Sequence, residues 1–171
     1  MGYAEHKERV AQEAQKSLPC GVITVSDTRM PDTDVSGKQI VEQLTSAGHS
    51  IVKYEIVKDE ARLIVQLIEE LITTRCAVVI LNGGTGIAKR DSTFEAVDGL
   101  LEKRLPGFGE LFRMLSYQEI GPAAMLSRAT AGTYRNMLIF SLPGSPHAVE
   151  LALSKLIMPE LTHLVWETVR R

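Results

Sequence analysis

The stretch Cys76-Ala77-Val78-Val79-Ile80-Leu81-Asn82-Gly83-Gly84-Thr85-Gly86, followed by Lys89-Arg90-Asp91-Ser92, decides how this chain is read. Ala77 to Leu81 is continuously apolar rather than alternating, the pattern of a parallel strand covered by helices on both faces. Three glycines directly behind a buried strand let the backbone approach a ligand closely and aim N–H groups at an anion. The alternative is a tight strand-to-helix turn, and the glycines alone do not separate the two. Neither a Walker A loop nor a G-x-G-x-x-G dinucleotide fingerprint is present.

Outward from this stretch, Gly21 to Val25, Ile51 to Val57 and Met137 to Leu142 are three further runs of β-branched and aliphatic residues. Between the first two runs, Ile40, Val41 and Leu44 have helical spacing over Gly37 to Ala47, and Gly48 stands where a C-terminal cap belongs. A second helix starts near Asp59 and presents Leu63, Ile64, Leu67, Ile68 and Leu71 as one apolar stripe. Ser92 and Glu95 have capping-box spacing ahead of Val97, Leu100 and Leu101. Ser145 and Pro146 suit the N-cap and first position of a terminal helix that Pro159 kinks or restarts. Alternating strands and helices predict a doubly wound α/β sheet, whose ligands sit beyond the carboxyl ends of the strands.

With 171 residues, 44% of them hydrophobic, the chain has the size of one domain and needs neither disulfides nor a structural metal to fold. Residues 1–17 read as a polar N-terminal extension and residues 18–171 as a single domain. A formal net charge of -2 with interspersed signs provides no broad basic field for nucleic acid. No segment offers about 18 uninterrupted apolar residues or a signal-peptide core, so no membrane association is expected. Cys20 and Cys76 fall inside apolar runs without disulfide or zinc spacing, which fits a cytoplasmic location. His6, His49, His147 and His163 have no metal-ligand spacing.

The chemistry-bearing residues gather behind the predicted strands. Lys89 and Arg90 suit phosphate oxygens, and Asp91 suits Mg²⁺, although it could instead cap the helix in place of Ser92. Asp27 follows the first strand. Asp34 or Ser36 can cap the next helix, and Asp59 has the equivalent choice after the second strand. Leu142-Pro143-Gly144-Ser145-Pro146 makes a stiff turn into the terminal helix and a second candidate anion site, while Ser127 and Arg128 precede the last run.

Taken together, Val25-Ser26-Asp27, Gly83-Gly84-Thr85-Gly86, Arg90-Asp91-Ser92-Thr93, Pro106-Gly107-Phe108-Gly109-Glu110, Leu126-Ser127-Arg128 and Leu142-Pro143-Gly144-Ser145-Pro146 resemble the MoaB/MogA family in order and spacing, from Gly21 to about Val165. Pro106 to Glu110 with Phe112-Arg113-Met114-Leu115-Ser116 resembles the MoaB branch more than the MogA branch. The resemblance implies a three-layer α/β/α sandwich with a mostly parallel sheet, assembled as a homotrimer or homohexamer. It implies molybdopterin and ATP as ligands, Mg²⁺ as cofactor, and other molybdenum cofactor biosynthesis proteins as partners. The implied activity is a molybdopterin adenylyltransferase that moves AMP from ATP to the terminal phosphate of molybdopterin and releases pyrophosphate.

By position, the family's nucleotide loop falls on Gly83, Gly84, Thr85 and Gly86, with Lys89 and Arg90 beside it, and its two acidic residues fall on Asp59 and Asp91, as catalytic and Mg²⁺-holding groups. The pterin and its phosphate are expected near Asp27, Ser127, Pro143, Gly144 and Ser145. Phe94 stands where the family often has Pro, a departure that leaves Asp91 intact. Some MoaB proteins lack detectable transferase activity and differ near the position of Asp91; retention of Arg90, Asp91 and Thr93 here leans toward catalysis. The alternative is a molybdopterin carrier or assembly protein without chemistry.

Overall fold

A computed structural model describes residues 14 and 16–169; most of the expected extension, residues 1–17, lies outside the described residues. All four apolar runs form strands: β1 (Pro19–Val25), β2 (Ser50–Val57), β3 (Val78–Asn82) and, last in the chain, β6 (Met137–Leu142). They pair in parallel in the order β2-β1-β3-β6. Two strands not expected from the sequence extend this sheet antiparallel: β5 (Thr130–Tyr134) against β6, and the two-residue edge strand β4 (Lys103–Arg104) against β5.

β5 escapes a hydrophobic-pattern reading because its sequence, Thr-Ala-Gly-Thr-Tyr, is small and polar. The approach of β4 requires this smallness: a Cβ added to Gly132 would lie 2.2 Å from the carbonyl oxygen of Lys103. The β5–β6 hairpin turns through Arg135 and Asn136, both at positive φ (45° and 67°), the backbone of a primed turn that matches the strand twist.

Because side chains alternate across a strand, each continuous apolar run feeds two cores. Val22, Val78, Ile80, Leu138, Phe140 and Leu142 join Ile40, Leu44, Phe112, Val149 and Leu161 in one cluster. Ile23, Val25, Val79, Leu81 and Ile139 join Ile64, Leu67, Ile68, Leu71 and Val97 in the other. The first face is thus covered by α1 (Val35–Ser46), α4 (Pro106–Ile120), α5 (Pro146–Ala152) and α6 (Met158–Val169), and the second by α2 (Ala61–Thr73) and α3 (Thr93–Leu100). This is the expected three-layer α/β/α sandwich.

Local signals are met unevenly. Asp34 caps α1, accepting from the Gly37 N–H at 3.0 Å, and Ser145 caps α5, accepting from the Ala148 N–H at 3.2 Å. The capping box at Ser92 and Glu95 does not form: Ser92 donates its hydroxyl to Asp59 and Glu95 pairs with Arg128, because both partners are charged and outcompete a backbone group. A π-helical turn over Leu153–Ile157 sits immediately before Pro159. Helix α4 is poorly signalled in the sequence, because Gly107 and Gly109 weaken its helical pattern, although Pro106 at its first turn is the usual start. Cys20 and Cys76 are buried free thiols, and burial pushes them up to about 12 and about 11, where they stay protonated and unreactive. Among the described residues no helix is long and apolar enough to cross a membrane.

Candidate functional site

Since β1, β2, β3 and β6 run parallel, their carboxyl ends share one edge of the sheet, and the antiparallel β5 brings its own start, with Ser127 and Arg128, to that same edge. The loops that carry the sequence motifs therefore converge.

The glycine loop needs its glycines individually. Gly83 (φ 101°) packs against β1 so closely that a Cβ would lie 2.2 Å from the Val25 carbonyl oxygen. At Gly84 (φ 65°) a Cβ would lie 2.0 Å from Thr93 Oγ1 and 2.6 Å from Asp59 Oδ2. At Gly86 it would lie 2.4 Å from Asp91 Oδ2. The Gly83 N–H is anchored on the Leu142 carbonyl at 3.0 Å. The next four N–H groups, of Gly84, Thr85, Gly86 and Ile87, donate to no partner among the described residues. Consecutive unpaired donors on a glycine-rich turn form a concave anion receptor. Lys89 and Arg90, beside it, are exposed and pair with no carboxylate among the described residues.

Two carboxylates close on this loop. Asp59 does not cap α2, whose N-cap position is Glu60; its Oδ1 accepts from the Ser92 N–H (3.0 Å), the Ser92 hydroxyl (2.8 Å) and the Thr93 hydroxyl (3.4 Å). It thereby supplies the cap of α3 that the Ser92 side chain does not. Asp91 does not cap α3 either: its Oδ2 accepts from the Ala88 N–H at 2.9 Å and closes the loop on itself. Each acid keeps one oxygen, Asp59 Oδ2 and Asp91 Oδ1, without a hydrogen-bond donor among the described residues. Asp27 accepts from the Asp59 N–H at 3.2 Å and so stands with the acids.

Two arginines tie the edge together. Arg29 donates to the Gly144 carbonyl (2.6 Å) and to Asn82 Oδ1 (3.3 Å), and its guanidinium lies 3.6 Å from the buried Asp34. Burial works to raise the Asp34 carboxyl, but hydrogen bonds from Thr24, Tyr54 and Gly37 and the charge of Arg29 outweigh it and hold the group below its usual range. Ser36 does not cap α1 but donates to the Gly144 carbonyl at 2.9 Å. Arg128 donates to the carbonyls of Thr85 and Gly86. Sequence reasoning names Arg128 only as a residue before the last strand and within Leu126-Ser127-Arg128, and it gives neither Arg128 nor Arg29 a partner, since a lone Arg in a loop has no pattern; the only signal is its place at a strand end.

A separate cleft of about 520 Å³ opens beside this loop cluster, lined by Ser127, Pro143 and Ser145 together with Ser116, Ile120 and His147. Gly144 turns its carbonyl to Arg29 and Ser36, and Asp27 does not line the cleft. Among the described residues no three His, Cys, Asp or Glu side chains gather in a metal-binding group. His6 lies outside them. His49 accepts from the Leu18 N–H, and His147 sits beside Glu119.

Comparison with known proteins adds a name to this arrangement. Residues 21–163 match the family described as "Probable molybdopterin binding domain". "Molybdenum cofactor biosynthesis protein B" of Bacillus subtilis (strain 168) is 53% identical over 169 residues, covering 98% of this chain and 97% of that protein. A crystal structure titled for molybdenum cofactor biosynthesis protein B superposes with a TM-score of 0.88 at 51% identity, covering 93% of this chain and 100% of that one. The tungsten cofactor synthesizing protein MoaB from Pyrococcus furiosus superposes with a TM-score of 0.83 at 40% identity, covering 91% and 99%.

Proposed function

The chain belongs to the molybdopterin-binding family that these proteins share, and we propose that it works in molybdenum cofactor biosynthesis as a molybdopterin adenylyltransferase. The observation that carries the chemical step is the run of four N–H groups from Gly84 to Ile87, flanked by Asp59 and Asp91 with one free oxygen each and by Lys89 and Arg90, all without a partner among the described residues.

In the reaction, an oxygen of molybdopterin's terminal phosphate attacks the α-phosphorus of ATP. The bond to the α,β-bridging oxygen breaks, and pyrophosphate leaves with the electron pair. Such transfers gain most from alignment and from electrostatic stabilisation of the transferring group. The N–H groups of Gly84 to Ile87 hold the triphosphate by charge-assisted hydrogen bonds. Lys89 and Arg90 offset the charge that grows on departing pyrophosphate.

The donor set fits Mg²⁺, which takes one or two carboxylates with substrate phosphates rather than an all-protein cage. Asp59 and Asp91 would hold it through their free oxygens, and when bound it supplies neutralisation of the triphosphate. The pterin occupies the cleft of Ser127, Pro143 and Ser145, whose apolar walls and few polar groups suit a flat heterocycle.

Incubation with molybdopterin, Mg²⁺ and α-labelled ATP tests the proposal. Label enters the pterin with wild type, and Asp91→Asn lowers the rate at least about a hundredfold, the scale of losing one preorganised charge-stabilising group. No label transferred by folded wild type that still binds molybdopterin would leave a carrier or assembly protein in its place. The homotrimer or homohexamer expected from the resemblance has a surface to use, because Leu111, Met114, Met125 and Leu126 leave apolar side chains exposed on α4 and the 3₁₀ turn after it. Light scattering distinguishes the two assemblies.

A further inference from the structure

Arg128 stands at the start of β5 with its guanidinium occupied on three sides. Its Nε donates to the Thr85 carbonyl at 2.8 Å, and one Nη donates to the Gly86 carbonyl at 2.5 Å and to Glu95 at 3.3 Å. The other Nη donates to Glu95 at 2.5 Å, and the guanidinium carbon lies 4.6 Å from the centre of the Phe94 ring. Arg128 holds the Glu95 carboxyl below its usual range, which keeps this pair charged. An arginine spent in this way has little left to offer a ligand.

Its effect on the loop follows from peptide geometry. In a planar trans peptide the carbonyl and the following N–H point in opposite directions. Drawing the Thr85 and Gly86 carbonyls toward Arg128 turns the N–H groups of Gly86 and Ile87 away from it, and these are two of the four donors without a partner among the described residues. We propose that Arg128 is a positioning residue of the glycine loop, which sets the direction of the Gly86 and Ile87 N–H groups toward the triphosphate and is itself fixed by Glu95 and Phe94. The assignment rests on the reading of Gly83 to Gly86 as the nucleotide loop. It also accounts for Phe94: a ring at this position gives the guanidinium plane a stacking surface, which Pro would not. Lysine cannot replace Arg128, since a single ammonium does not span two carbonyls and a carboxylate in one plane.

The test measures Mg-ATP affinity by calorimetry for wild type, Arg128→Lys, Arg128→Gln and Glu95→Gln, together with amide exchange at Gly86 and Ile87 with and without Mg-ATP. Both Arg128 variants should weaken ATP alike, by roughly tenfold to a hundredfold, the worth of charge-assisted hydrogen bonds. Glu95→Gln, at an exposed pair, should weaken it roughly twofold to fivefold. Mg-ATP should slow exchange at Gly86 and Ile87 in wild type and fail to do so in Arg128→Lys, a local readout that general destabilisation does not produce. Wild-type affinity in both Arg128 variants overturns the positioning role and leaves the nucleotide loop standing. Full recovery by Arg128→Lys alone overturns it too, in favour of charge. Failure of wild type to bind ATP overturns the nucleotide reading and this assignment with it. If both Arg128 variants unfold, unchanged ATP affinity in Glu95→Gln overturns the clamp.

Discussion

The two ends of the sheet share more features than their roles suggest. At the amino ends of the strands a cleft of about 420 Å³ is lined by Leu18, Arg75, Cys76, Asn136, Val165 and Trp166, and Arg75, Arg135 and Asn136 there adopt positive φ. At the carboxyl ends, positive φ falls on Gly83 and Gly84. The difference lies in where the donors go. The Arg75 N–H reaches the Ile72 carbonyl and the Arg135 N–H reaches Glu102, so two of these three donors are spent within the fold. From Gly84 to Ile87 the donors have no such partners among the described residues, and side chains are excluded at Gly83, Gly84 and Gly86 by contacts under 3 Å. Unusual backbone and a cavity mark both ends; a run of four consecutive donors without a partner among the described residues marks the carboxyl end.

Substitutions at the two ends should therefore behave in opposite ways. Gly84→Ala has the largest expected effect: positive φ and the clash with Thr93 and Asp59 should cost about 3 kcal/mol or more, read by urea unfolding, with Mg-ATP binding lost. Wild-type stability in this variant would show that the loop tolerates a side chain. Asp34→Asn, also at the carboxyl end, removes the charge that Tyr54 and Arg29 engage and should cost about 1.5–3 kcal/mol at pH 7, the worth of hydrogen bonds to a charged group. The folded state holds Asp34 below its ordinary value, so its contribution is present above about pH 4 and is lost as pH falls through the lowered value. Thermal melts of the two proteins should therefore converge in acid, and a gap that stays constant would contradict the charge-based account. Arg75→Gly, at the amino end, relieves a positive φ of 58° and should raise stability by about 0.5–1 kcal/mol without changing ATP affinity. A loss of ATP affinity there would erase the contrast between the ends.

The sequence makes the parallel half of the sheet legible because β1, β3 and β6 are buried on both faces, and burial on both faces is what turns an alternating pattern into a continuous apolar run. β5 and β4 are not legible, since their residues answer to close backbone packing rather than to hydrophobicity. At the site, Gly83, Gly84, Gly86, Asp59 and Asp91 stand out as types placed behind strands. What each acid bonds to does not: Asp59 caps α3 from across the sheet edge, a partner 33 residues away that local capping rules do not reach. Arg29 and Arg128 act on carbonyls 115 and about 43 residues away. Such long-range struts carry no local spacing, and only the sheet topology that returns β5 and β6 to the edge reveals them.

The most direct test of the account is a residue-by-residue map of backbone amide shifts on addition of Mg-ATP. It predicts large shifts at Gly84 to Ile87 and at Asp91 to Thr93, with Arg75, Arg135 and Asn136 unmoved. Shifts centred on the cleft of Arg75 and Trp166, with the glycine loop unmoved, would contradict it.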